Sequence, residues 1–372
     1  MNKEEIYSWL VYIVMLAFAI VIGVTIIIPA MNNGYLPTGF MSFIFIFVWI
    51  IIGLIINAIF IELGHVIGAK IGNYEILSVN ILSFCIYKEF VNGKLVTKFK
   101  AFKNFDGLLG ETIISPKRNN SKPILYIFLP LVLFLLEIVG LACCFLYIES
   151  GLSIALDHLK YGILIISTIG GMSIIYDYFP TKLDSLNDGY RLVLLNKKVN
   201  IEAYNEYLSI VSDKYLKKEH AEYKVFTTLT DFTAKVNLIA AKYYANDNLE
   251  KSLEIINNLL NNSDNITKST IRDIKIYKLE LLLYYDKIED GKDFYQNDFN
   301  QEEKKYLISC TTLDSIRSYI LYAYLVEGSN SEVNRALEKS EKILKRLLPS
   351  EEAEEKEKLD LIKTKINLTI NK

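Results

Sequence analysis

Residues 56–72 read INAIFIELGHVIGAKIG. In an apolar setting this stretch carries one acid, Glu62, one imidazole, His65, and one amide, Asn57. Asn57, Ile61 and His65 are spaced four apart, so a helix stacks them one turn above another on a single face. Working backwards, the apolar character continues to about residue 40, giving a run longer than the roughly 20 residues a bilayer requires. An ionisable side chain in such a run is costly to bury and marks a candidate functional position.

The rest of the chain fits this setting. Of its 372 residues, 51% are hydrophobic and 23% charged, and the two classes are segregated. The apolar runs fall at about 8–30, 40–70, 124–148 and 160–179, and the remainder is rich in Lys, Glu, Asn and Tyr. Four transmembrane helices followed by a soluble region is the reading this imposes. The formal net charge is −2, which gives no general attraction to nucleic acid. Cys85, Cys143, Cys144 and Cys310 include no CxxC pair, so neither a disulfide framework nor a structural zinc knuckle is expected. The first run is too long for a signal-peptide core and reads as a retained anchor.

Lysine and arginine placement sets the expected orientation. The segments MNNGYLPT (31–38) and ESGLSIALD (149–157) carry no basic residue, whereas 71–123 and the region after the fourth run are rich in lysine. The basic segments, and both termini, are therefore expected on the cytoplasmic side of the cell membrane. Between the second and third runs, YEILSVNILSFCIYKEFVNGKLVTKFKAF alternates β-branched and aromatic residues around Asn92-Gly93, a hairpin signal, and GETIISPK reads as a further strand. So apolar a sheet is expected to associate with the bilayer. From 197 onward the pattern is helical: LIAAKYYANDNLEKSLEIINNLL reads as a helix pair turning near Asn246–Asn248, and its spacing resembles tetratricopeptide-type hairpins. The expected class is mainly α: a polytopic membrane protein with an N-terminal transmembrane helix (1–38), a membrane core (39–196) holding a β insert at 73–122, and a soluble domain of helical hairpins (197–372).

The motif itself resembles the core helix of the site-2 protease family of intramembrane zinc metalloproteases, which reads His-Glu-x-Gly-His followed by Ala and Gly. Here Glu62, Gly64, His65, Ala69 and Gly72 occupy those places. A second landmark of that family, Asn-x-x-Pro leading to Asp-Gly, is met by DYFPTKLDSLNDGYRL, with Asp177 in the Asn place, then Pro180 and Asp188-Gly189. The resemblance covers about residues 40–195. It implies Glu62 as the general base and His65 and Asp188 as zinc ligands, because two His one turn apart plus a distant carboxylate leave zinc an open position for water. Asp188 has an alternative reading as the N-cap of a helix opened by LNDGYRLVLL.

The chain departs from the pattern at the first zinc histidine, where it has Ile61. An aliphatic side chain binds no metal, so zinc is expected to be weak or absent. Asn57 is a poor substitute ligand. Asp184 or Asp177 offers an oxygen, while His158 and His220 are expected far from the motif. Pro130 matches the family on the return helix, but the Asn expected after it is missing. Glu137 stands within the third run either as a neutral, hydrogen-bonded acid or as a binding group. Three functions follow: a pseudoprotease that binds a transmembrane or secreted peptide and recruits a cytoplasmic protein through 197–372; an active protease with a rearranged metal site; or an accessory or immunity component of a peptide exporter.

Overall fold

A computed structural model describes residues 3–91, 94–101, 110–117, 121–181 and 186–366. Four helical spans are long and apolar enough to cross a membrane, at Trp9–Asn32, Phe40–Ile71, Pro123–Tyr147 and Ile154–Tyr178. The first is α1 (Lys3–Ile22), a π turn over Gly23–Ile27, and α2 (Ile28–Asn32). The others are α3 (Phe40–Ile71), α4 (Pro123–Tyr147) and α5 (Ile154–Tyr178). The last begins six residues before the apolar run does. Ser153 caps it by accepting from the Leu156 amide, and Asp157 turns back to accept from the Gly151 amide. A polar first turn of this kind is invisible to a hydropathy reading.

Small residues set the helix contacts. The Gly64 backbone lies against Pro130, and that of Gly68 lies against Leu125 and Tyr126, so α3 and α4 run antiparallel. A Cβ at Gly64 would strike the Pro130 backbone. Gly162 meets Trp49, Gly53 meets Ile166 and Gly170 meets Asn57, so α5 runs parallel to α3. Close backbone approach at small residues is how helices associate in a medium with no hydrophobic drive between them.

The β segment forms one antiparallel sheet of four strands in the order β3-β2-β1-β4. The strands are β1 (Tyr74–Ile81), β2 (Phe84–Val91), β3 (Lys94–Ala101) and β4 (Gly110–Pro116). Only Gly72 and Asn73 separate β1 from the end of α3, and β1 and β4 pack on that helix. The tip at Asn92-Gly93 lies outside the described residues. The turn between β1 and β2 is Leu82-Ser83, with Leu82 at φ 56. A leucine in the left-handed region gives no turn signal in sequence. One register shift, between Ile76 and Ser78, interrupts the pairing of β1 with β4.

Next come α6 (Asp188–Leu194) and α7 (Lys198–Tyr215). The chain divides into two compact units, and the division falls inside α7, between Ile201 and Glu202. The second unit is helical throughout its described regular elements: α8 (Asp231–Tyr244), α9 (Leu249–Asn261), α10 (Lys268–Tyr284), α11 (Ile288–Asp298), α12 (Gln301–Ser309), α13 (Leu313–Leu325), α14 (Asn330–Leu344) and α15 (Pro349–Lys365). The pair expected around Asn246–Asn248 is α8 and α9. Its turn is held by Asn248, which caps α9, and by Ser252, which donates to the Ala241 carbonyl. One apolar core joins α8, α9 and α10 through Ala241, Ile256 and Ile274. A second is centred on α13 through Ile316, Ile320 and Leu321.

Candidate functional site

Glu62 and His65 lie on the buried face of α3 with Asn57, Ala58, Gly64, Gly68 and Ala69. Asp188 is 123 residues further on, yet its Oδ2 stands 3.4 Å from His65 Nε2. What delivers it is Asn187. That amide nitrogen donates to the carbonyls of Tyr176 (2.9 Å) and Phe179 (2.6 Å) at the end of α5 and to Thr181 Oγ1 (3.1 Å). Its oxygen accepts from the Tyr190 amide and so caps α6. The cap is therefore Asn187 and not Asp188, which occupies the first helical position with its carboxylate free to turn toward α3. Gly189 completes the junction, because a Cβ there would collide with the Tyr178 carbonyl.

Each polar group at the site has a second contact that fixes its direction. His65 Nδ1 lies 3.2 Å from the Tyr126 carbonyl, the arrangement that turns a ligand imidazole's Nε2 outward. Asp188 Oδ1 accepts from Arg191 Nη1 at 3.1 Å. Burial raises the Asp188 carboxyl, but His65 and Arg191 outweigh it and hold the group below the usual carboxylate range. Asp177 Oδ1 accepts from the Asp188 backbone amide at 3.4 Å, which brings a second carboxylate beside the first. Glu62 Oε2 accepts from the Thr112 hydroxyl at 2.6 Å, and the Tyr126 hydroxyl donates to the Thr112 carbonyl at 2.9 Å. Glu62 Oε1 lies against Gly110, where an added Cβ would be 2.7 Å away. The sheet is thus one wall of the site.

Sequence reasoning named Glu62, His65, Asp188 and Asp177, and the structure brings all four together. Asp184 lies outside the described residues. His158 packs on Phe45, and His220 is in the second unit between Asp213 and Glu206. Asn187, Thr112, Tyr126 and Arg191 were missed. Asn187 alone had a signal, as an Asn immediately before Asp-Gly at a helix start. Nothing in a single sequence links Thr112 to Glu62 across 50 residues. Glu137 is buried on the inner face of α4, and neither of its oxygens has a hydrogen-bond partner among the described residues.

The donor chemistry can be set against a catalytic zinc. His65 Nε2 and Asp188 Oδ2 converge, but Ile61 is half-buried where a third ligand would stand. Among the described residues no three His, Cys, Asp or Glu side chains are grouped closely enough to hold a metal. Two protein donors fall short of the three that a catalytic zinc uses, so the described residues, as they are placed, do not fit that metal. Comparison with known protein families, curated proteins and solved structures finds no match to the chain.

Proposed function

We propose that this chain is a site-2-protease-like membrane protein whose cleft binds a transmembrane or secreted peptide without cutting it. The observation that carries the reading is the convergence of Glu62, His65 and Asp188 at one buried place, in a chain whose sequence puts Ile61 where a metal ligand would be. The polar groups offer hydrogen-bond acceptors at Glu62 and Asp188 to a peptide's backbone amides. Burial of these groups makes such bonds selective for a segment whose own backbone is unpaired. The four spans are read as a multi-pass arrangement with both termini cytoplasmic. The helical unit is read as the recruiting surface for a cytoplasmic protein, with its hairpins stacked in tetratricopeptide fashion.

A photocrosslinking amino acid at Ile61 tests the binding reading. The expected adduct is an uncut apolar peptide, recovered equally from wild-type and Glu62→Gln backgrounds. Adducts with cut peptides that vanish in Glu62→Gln would overturn it. Orientation is tested by single cysteines at Asn32, Gly151 and Lys117. The first two are expected to react with an impermeant thiol reagent outside intact cells, and the third only after lysis.

A second reading rests on the hydrogen bond between the Asp188 amide and Asp177. Asp177 is close enough to serve as a replacement ligand after a rotamer change, which would make the chain an active metalloprotease with a His-Asp-Asp donor set. Firmly bound zinc that is lost in Asp177→Ala would select that reading.

A further inference from the structure

The cross-strand pairing leads from the Glu62 site to the far edge of the sheet. Val79 pairs with Thr112 on one side and with Ile86 on the other, and Ile86 pairs with Phe99. Directly opposed residues in a sheet point to the same face. Thr112, Val79, Ile86 and Phe99 therefore form one row on one face. At Thr112 that face is closed by α3, since Thr112 donates to Glu62 and is 7% exposed. Along the row the cover runs out: Ile86 is 57% exposed and Phe99 63%. The neighbouring pair Phe90 and Leu95 lies on the same face and is also exposed, and Phe84 stacks on Phe99 with ring centroids 6.1 Å apart. The opposite face of β3 carries Lys94, Lys98 and Lys100, the middle one paired with Glu89 at 2.8 Å.

The height of this face follows from the same contacts. α3 has 32 residues, about 48 Å at 1.5 Å per residue, against a hydrocarbon core of about 30 Å. Glu62 lies nine residues before the end of the helix at Ile71, about 14 Å back along it. The sheet starts at Tyr74, just past the helix end, and returns so that Gly110 stands beside Glu62 with Ile81 paired to it. With Phe40 at one boundary of the core, the end of the sheet that carries Ile81, Phe84 and Ala101 stands near the other. Lys88, between Ile86 and Phe90 on this face, has its charge met by Glu75 at 2.8 Å, and a face otherwise apolar at that height, backed by the lysines of β3, has the division of an interfacial amphipathic element.

We propose that the β2–β3 hairpin is a lipid-docking blade, with Ile86, Phe90, Leu95 and Phe99 seated at the headgroup–acyl boundary and the lysine face turned to water and headgroups. The occupant is the bilayer itself, because the face is continuous with helices of membrane-spanning composition. A large exposed apolar patch on a sheet with an open edge strand would otherwise be an aggregation hazard. Lipid contact at this place brings the wall of the Glu62 site to the membrane surface, so that a peptide leaving the bilayer meets β4 and β1 beside Glu62. The inference rests on the spans crossing a bilayer.

The test uses the full chain in nanodiscs of mixed phosphatidylcholine and phosphatidylglycerol, in a background with Cys85, Cys143, Cys144 and Cys310 replaced. Nitroxide labels go on Ile86→Cys, Phe99→Cys and Lys98→Cys, with Leu136→Cys on the outer face of α4 as the reference. Collision with oxygen, which partitions into lipid, is compared with collision with a water-soluble nickel chelate. Labels at 86 and 99 are expected to favour oxygen several-fold over the label at 98, though less strongly than the label at 136. Equal access of nickel to 86, 98 and 99, with 136 still lipid-like, overturns the blade alone. A water-like signal at 136 as well overturns the membrane reading beneath it. Protection of 86 and 99 from both reagents, or protection only after a peptide is added, assigns the face to protein and also overturns the blade.

Discussion

Each unit buries a cluster of charged side chains, and the two clusters are balanced differently. In the helical unit Arg317 lies among Glu280, Asp314 and Glu355, with its Nε 3.2 Å from Glu280 Oε1. Lys242 meets Asp314 at 2.8 Å and Lys358 meets Glu355 at 2.8 Å, so the acids are shared among cations from α8, α13 and α15. In the first unit the acids Glu62, Asp177 and Asp188 gather around one imidazole and one guanidinium, His65 and Arg191. A cluster closed by its own cations is accounted for by packing alone, whereas one with acids in excess leaves charge that its own cations do not balance. Buried charges without partners are otherwise removed or neutralised.

The comparison breaks most visibly at Arg317. Arg317→Ala leaves the largely buried Glu280 without its guanidinium and Glu355 with Lys358 alone, and is expected to lower stability by about 3 kcal/mol, the low end for a broken buried pair, read by urea denaturation of a fragment beginning near residue 202. That fragment is itself expected to be soluble and helical without detergent, because its apolar stripes pack on each other in two cores. A loss under about 1 kcal/mol would mean the network is no more than a surface arrangement. Smaller is the effect of Asn187→Ala in the full chain. It removes a helix cap, worth about 0.5–2 kcal/mol, and with it the tie between α5 and α6. The sharper readout is positional: a crosslink engineered between positions 65 and 188 should form in wild-type and fail in the Asn187 variant.

The smallest effect concerns His220. Its Nδ1 is 2.8 Å from Asp213 and its Nε2 3.1 Å from Glu206. Burial lowers its pKa, but the two carboxylates outweigh that and hold it above the ordinary 6.5. A raised folded value means the stabilisation is complete below 6.5 and is lost as pH climbs through the folded value. The melting temperature of the fragment should therefore fall relative to that of His220→Gln as pH rises above neutrality, by a few degrees at most. Parallel curves for the two proteins would remove the imidazolium from the account.

These clusters were unequally legible. The spans came from composition alone, since about 20 apolar residues have few other uses. Glu62 and His65 stood out because ionisable groups are rare in such a run, and Asp188 because Asp-Gly follows the fourth span. The supports did not. Thr112 sits in an ordinary-looking strand, and its relation to Glu62 depends on the β1–β4 register, which a bulge shifts. The turn at Leu82-Ser83 has no Gly, Asn or Asp to announce it. Arg317 reads as one more charge on an amphipathic helix, because its pairing with Glu280 of α10 and Glu355 of α15 is a tertiary fact.

Zinc content tests the central claim most directly. The purified full chain is compared with Ile61→His by elemental analysis after dialysis against excess zinc and then buffer. The account predicts substoichiometric metal in the wild type and about one zinc per chain in Ile61→His, because the third ligand raises affinity by orders of magnitude. One firmly bound zinc in the wild-type protein, together with peptide cleavage abolished by Glu62→Gln, would contradict it.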